Sequence, residues 1–342
     1  MSHRFVASTG AAAAVIVTVM LAPGPAAGQA PSAASTAVAA ADPSAPLRTP
    51  WGDPDLQGVW STATATPFER PPELAGRDVL TEAEAAALEK RAVETATDEA
   101  RPADRGRDVS GAYNDFWWDR GTRVIPTRRT SLVIDPPDGR VPALTPEAQQ
   151  RQAERAEARR ARTTEADTWA DRSLWERCIT RGVPNVMLPG PYNNNYQILQ
   201  TPGHVVILAE MIHDARIIPL DGRPHLAQNI RQWMGDSRGR WEGNTLVVDT
   251  ANFTDKTSYR GSGANLHLVE RFTRVNAETL NYEVTVGDPT AFTRSWTVAL
   301  PATRSKEAIF EYACHEGNYG MVGILSGARQ QEKATEDPGT QR

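Results

Sequence analysis

The sequence predicts a mainly β protein, an antiparallel barrel or strongly curved sheet with an α-helical amino-terminal extension. The first sign is the segment after Asn195. Its apolar runs YQILQ, HVVILAEMI, ARIIPL, TLVVDTANF, HLVERFTRV, TLNYEVTV, FTRSWTVAL and IFEYACHEG are separated by turn residues such as Thr201-Pro202-Gly203, Asp221-Gly222 and Glu242-Gly243-Asn244, which reads as about eight strands with short connections. The second is alternation within a run: Leu280, Tyr282, Val284 and Val286 share one face, and Asn281, Glu283 and Thr285 the other, as a two-sided sheet requires. The third is economy of edges, because successive hairpins expose unpaired strand edges unless the sheet closes on itself.

In chain order, residues 1–30 read as a signal peptide. Arg4 precedes an apolar run from Ala11 to Ala22, then small residues ending in Gly28, Gln29 and Ala30. The run falls short of the ~20 residues of a comfortable span, so no stable membrane span is expected. No cysteine near Ala30 offers a lipid anchor. A periplasmic or secreted location follows. Residues 31–50, PSAASTAVAAADPSAPLRTP, lack large side chains to bury and read as a disordered linker.

Residues 51–180 form the predicted extension, helical and aromatic-rich, packed on the barrel. It holds a short strand from Gln57 to Thr62. A helix capped by Thr81 follows, with Glu82 and Glu84 in its first turn. Phe116, Trp117 and Trp118 form a cluster expected to dock. TSLVIDPPDGRVP reads as a strand stopped by Pro136 and Pro137. A second helix, capped by Thr145 with Pro146 at its first position, carries almost no apolar stripe and is expected to lie in solvent. Residues 181–330 make the predicted barrel and 331–342 a disordered tail. HVVILAEMI is apolar on both faces, so cover on its outer side is expected.

Gly58-Val59-Trp60 within DLQGVW resembles the Gly-x-Trp of the first lipocalin strand, and with the later strands the chain is similar to a lipocalin-type barrel. That resemblance implies an internal cavity for a small, mostly apolar ligand; the helices between first strand and meander depart from the lipocalin plan. The phrases DLQGVW, NDFWWDRG, TSLVIDPPDGR, PGPYNNNYQI, MIHDARIIPLDGRPH, GDSRGRWEGNTLVV and YACHEGNYG together resemble an uncharacterised family of exported bacterial proteins over most of the chain after Trp51. This implies export and nothing catalytic.

The formal net charge of -5 is mixed along the chain. The Arg-rich run Arg151–Arg162 is interleaved with Glu154 and Glu157, a solvated helix face rather than a nucleic-acid surface. Two cysteines, Cys178 and Cys314, survive signal removal, and in an oxidising compartment a lone pair favours one disulfide. Two separate thiols, or a nucleophilic Cys314 beside His315, are the alternatives.

The chemistry-bearing residues concentrate between Pro191 and Gly243 and near the carboxyl end. His213 and Asp214 close one strand and Arg216 opens the next, so the imidazole could act as general acid or base with the carboxylate orienting it. His315 and Glu316 form a second such pair, and Arg216 or Arg238 would clamp an oxyanion. The plain alternative for each is a structural turn. Ser237 in GDSRG fits Gly-x-Ser-x-Gly but lacks the strand-to-helix context of a nucleophile elbow. A tight turn pinned by Asp236 and Arg238, with Trp241 beneath, is the simpler reading. Tyr192, Asn194 and Tyr196, with Trp241, are candidate ligand-binding residues. His204, His213, His225, His267 and His315 fall in the barrel region, yet no metal-ligand spacing joins them, so no organic cofactor and no metal is expected, with a divalent metal held by two or three of these histidines plus Asp or Glu as the alternative.

Two functions follow from these residues. One is an exported, cofactor-independent isomerase, lyase or hydrolase acting on a small molecule by His/Asp acid-base chemistry in a barrel cavity. The other is a non-catalytic, lipocalin-like carrier of a small apolar or glycosylated ligand. An envelope interaction module using the Trp cluster is a third reading.

Overall fold

The computed structural model describes residues 47–95, 120–162, 164, 166–256, 259–316 and 318–336. The signal peptide, most of the linker and the Phe116–Trp118 cluster lie outside these residues. Ten strands and three α-helices occur among them: β1 Gly58–Ser61, α1 Glu82–Glu94, β2 Val133–Asp135, α2 Pro146–Arg160, β3 Asn195–Thr201, β4 His204–Ala209, β5 Ala215–Pro219, β6 Asp236–Glu242, β7 Thr245–Ala251, β8 His267–Arg274, β9 Thr279–Gly287, β10 Trp296–Arg304 and α3 Tyr319–Glu336.

The strands form one antiparallel sheet in the order β5-β4-β3-β1-β10-β9-β8-β7-β6, with β2 added to β10. Its two ends, β5 and β6, approach each other and nearly close a barrel. A Cβ on Gly239 of β6 would lie 2.6 Å from Leu220 Cδ2 and 2.8 Å from Ile218 Cγ2, so a bare glycine is what lets the two edges pack.

Tight hairpins turn at Gly203 and Gly243, both in left-handed conformation, at one end of the barrel. Register places Asn195, Ala209, Ala215, Asp236, Ala251, His267, Gly287 and Trp296 at the opposite end. The longer connections 210–214, 252–266 and 288–295 leave from there, and almost every flagged polar residue sits at that end.

Alternation fills the interior. Trp60, Tyr196, Phe272, Tyr282 and Trp296 are fully buried, and the Phe272 and Tyr282 rings lie 5.0 Å apart. Each such side chain contributes roughly 2 kcal/mol through burial. The lipocalin likeness implied a hollow lumen; these aromatic side chains occupy the inner face instead.

The helix caps form as the sequence indicates. Thr81 accepts from the Glu84 amide while Glu84 accepts from the Thr81 amide, a reciprocal box, and Thr145 caps α2 with Pro146 in its first turn. α2 buries only Ala148, as its lack of an apolar stripe requires.

Several expectations need correction. IFEYACHEG is not a strand: residues 307–314 are irregular, and α3 follows them. That helix runs to Glu336, through positions assigned to a disordered tail. GDSRG is not a tight turn; Gly235 makes the turn and Asp236 opens strand β6. The sheet begins at β1, which pairs with β3 and β10, so the segment from 51 contributes barrel strands. HVVILAEMI ends as a strand at Ala209, since Ile212 and His213 both adopt positive φ. Its outer side stays open among the described residues, with Leu199 and Ile217 exposed on either side of Val206.

Candidate functional site

The six candidate catalytic residues do not gather in one place. Arg216 points into the barrel, where its guanidinium meets Glu270 of β8 at 3.0 and 2.5 Å, and Ser237 at 3.2 Å. Tyr282 donates to the same carboxylate at 2.9 Å, and Ser237 and Thr250 hydroxyls lie 3.0 Å apart. Burial would lower the Arg216 pKa, but Glu270 outweighs it and holds the guanidinium above its usual value. Burial, then the nearby Glu270 charge, pushes the phenols of Tyr196 and Tyr282 up. The cluster is buried, with Glu270 and Tyr282 fully shielded from solvent.

Since Ser237 faces inward, the next residue along the strand, Arg238, faces out. It donates to Asp236 at 2.6 Å, the anticipated ion pair, and to the Pro224 carbonyl at 3.0 Å. His225 lies between two carboxylates, 3.0 Å from Asp236 and 2.8 Å from Asp249, and His267 is 3.0 Å from Asp249. Burial alone would raise Asp249, yet the two imidazoles hold it below its usual value. This chain staples the loop carrying His225 onto the outer sheet. Among the described residues, no three His, Cys, Asp or Glu side chains are arranged to hold a metal.

His213 and His315 do meet, with ring centroids 5.9 Å apart and both side chains exposed. Their carboxylate neighbours do not orient them. Asp214 accepts from the Thr180 hydroxyl at 2.9 Å and the Arg181 amide at 3.1 Å, and burial raises its pKa. Glu316 is exposed. His213 Nδ1 instead lies 3.1 Å from the Tyr312 carbonyl. Cys178 and Cys314 form the expected disulfide, Cα atoms 5.7 Å apart, which ties the 305–316 segment to the 173–182 segment and sets His315 beside His213.

That junction walls a hollow of about 300 Å³ bordered by Trp175, Tyr192, Tyr312, the disulfide, Met321 and Ile324. Trp175 and Tyr192 rings are 6.2 Å apart, and the Trp175 Nε1 donates to the Tyr312 hydroxyl at 3.4 Å. On account of these contacts, Tyr192 is the candidate ligand residue that borders open space. Asn194 is spent on its own loop, bonding the Gly190 amide at 2.6 Å and carbonyl at 3.2 Å. Tyr196 is inside the barrel, and Trp241 packs against the core from β6.

Trp175 also borders a second hollow of about 370 Å³, with Thr180, Arg181, Asn185 and Lys256. The Arg181 guanidinium stacks 4.4 Å from the Trp175 ring centroid. Its Nη1 is buried with no hydrogen-bond partner, and burial lowers its pKa despite Tyr192 and Tyr312 nearby.

No family model matches the chain, and no curated protein matches it. Among solved structures it is similar to a secretary abundant heat soluble (SAHS) protein from Ramazzottius varieornatus. The identity is 14%, covering 39% of this chain and 87% of that one, with a TM-score of 0.24.

Glu270 was legible but missed: in HLVERF it shares the apolar face with Leu268 and Phe272, where a lone carboxylate requires a partner. Trp175 and Arg181 carry no comparable signal, because an irregular segment has no period that says which side chains converge.

Proposed function

We propose that this is an exported small-molecule-binding protein whose ligand sits at the loop end of the barrel, in the hollow beside the disulfide, rather than in the lumen. The observation that carries the reading is the union of Trp175, Tyr192 and Tyr312 around open space next to a staple that fixes them. Concave, apolar, pre-formed walls with a few polar atoms are the usual make-up of a ligand site. The filled barrel interior turns the carrier reading outward. Export is supported by the amino-terminal signal pattern and by the Cys178–Cys314 bond.

A screen of uncharged aromatic compounds by isothermal titration, using the full chain, tests it. Hits that weaken at least about tenfold in Trp175→Leu and Tyr192→Ala support the reading, since aromatic contacts of this kind contribute on the order of 1 kcal/mol beyond burial. Hits indifferent to both substitutions would remove the hollow from function.

A second reading has its own observation. The exposed His213 and His315 rings do not line the hollow but adjoin two of its wall residues, His213 through the Tyr312 carbonyl and His315 as the residue after Cys314, so a bound molecule that extends past that wall with an acidic C–H or a labile ester would meet two imidazoles. Turnover of a bound compound that falls in both His213→Ala and His315→Ala supports an isomerase, lyase or hydrolase. Equal turnover in wild type and variants leaves binding alone.

A further inference from the structure

We propose that the second hollow, on the other side of Trp175, is a separate site for a small carboxylate with an apolar body, bound by the Arg181 guanidinium and the Lys256 ammonium. Four observations converge on it. Arg181 and Lys256 both line the hollow, and none of its lining residues is acidic. Of the nearby carboxylates, Asp214 accepts from Thr180 and from the Arg181 backbone amide, Glu176 accepts from Arg172 and Ser173, and Asp255, next to Lys256, borders a different hollow. The Arg181 Nη1 is buried without an acceptor. Leu174 and Trp175 supply apolar wall for the rest of such a ligand.

The Trp175 stack does not account for that unsatisfied nitrogen. A ring under a guanidinium satisfies the face of the cation, whereas its N–H bonds lie in the guanidinium plane and point past the ring. The Arg181 cation has one N–H without an acceptor and no acidic neighbour in the hollow, and an oxyanion in the guanidinium plane at the edge that borders the hollow compensates its charge. The segment is held in place from two sides. Asp214 fixes the Thr180–Arg181 backbone, and the Cys178–Cys314 bond anchors the chain three residues earlier. Arg181 supplies the directional, plane-matched contact, and Lys256, exposed on its loop, adds charge without geometry.

Isothermal titration of the full chain at low salt with benzoate and with benzamide, its uncharged isostere, tests the site. Benzoate is expected to bind at least about tenfold tighter, the scale of one charge-assisted hydrogen bond. In Arg181→Met, which keeps an apolar stem over Trp175, that gap is expected to fall below about threefold. In Lys256→Met, a surface change that leaves the fold intact, the gap is expected to shrink by about threefold and its salt dependence to weaken. Equal affinity for the two compounds in wild type would overturn the proposal. So would a gap preserved in both variants, or no measurable binding of either compound.

Discussion

Arg216 and Glu270 meet inside the barrel as a two-pronged ion pair linking β5 to β8, strands that are far apart in the sheet order. Because β5 and β6 share no ladder hydrogen bonds, this pair and its Ser237 and Thr250 contacts tie the two ends of the sheet together on the inside, while the segment after β5 bonds to β6 on the outside through Pro224, His225 and Leu226. The barrel is therefore held at this gap from both faces.

Breaking that pair leaves a charge stranded in the core. Glu270→Gln is expected to cost about 3–5 kcal/mol of stability, the range for an uncompensated buried partner. Replacing both, Arg216→Met with Glu270→Leu, is expected to restore most of it. Denaturant unfolding of the three proteins measures this, and an additive double variant would deny the coupling.

Gly239 tests closure from the other direction. Gly239→Val drives a side chain into Leu220 and Ile218, and overpacking of this kind costs about 1–3 kcal/mol. If the Gly239→Val variant proved as stable as wild type, β5 and β6 would not be in contact in solution.

The disulfide closes a span of 136 positions. Its removal by paired Cys178→Ala and Cys314→Ala is expected to lower stability by about 2–5 kcal/mol. The two hollows should lose definition with it, since both are built on the 173–182 segment. Thermal unfolding with and without reductant gives the first number, and ligand titration the second effect.

Glu84 sets an acid limit on the first helix. Hydrogen bonds from Arg77, then from the Thr81 amide and hydroxyl, hold its carboxyl at about 2 against an ordinary 4.5. A carboxylate lowered on folding stabilises the fold above its unfolded value, and that contribution fades as pH falls from about 4.5 toward 2. Carboxyl NMR titration should find the Glu84 midpoint near 2, and Thr81→Ala or Arg77→Met should move it up. A midpoint near 4.5 in wild type would dissolve the capping box.

Strand faces were legible where alternation was clean. TLNYEVTV became β9 with the expected inner face of Leu280, Tyr282, Val284 and Val286, and the caps at Thr81 and Thr145 formed, because these signals are local. The Cys178–Cys314 bond followed from composition and compartment. The site was not legible, and the reason is physical. His213 and Arg216 lie three residues apart, yet one is exposed and the other turned into the barrel, a difference set by positive φ at Ile212 and His213 and by strand parity. Trp175, Tyr192 and Tyr312 come from three irregular stretches brought together by a covalent bond and a turn, which no periodicity reports.

The most direct test is where an uncharged aromatic molecule lands. NMR of the full chain with labelled Tyr and Trp side chains, titrated with 2-naphthol, should move the resonances of Trp175, Tyr192 and Tyr312 and leave Tyr196, Tyr282 and Trp60 still. Shifts confined to Tyr196, Tyr282 and Trp60 would put the ligand in the barrel interior and contradict a site at its rim.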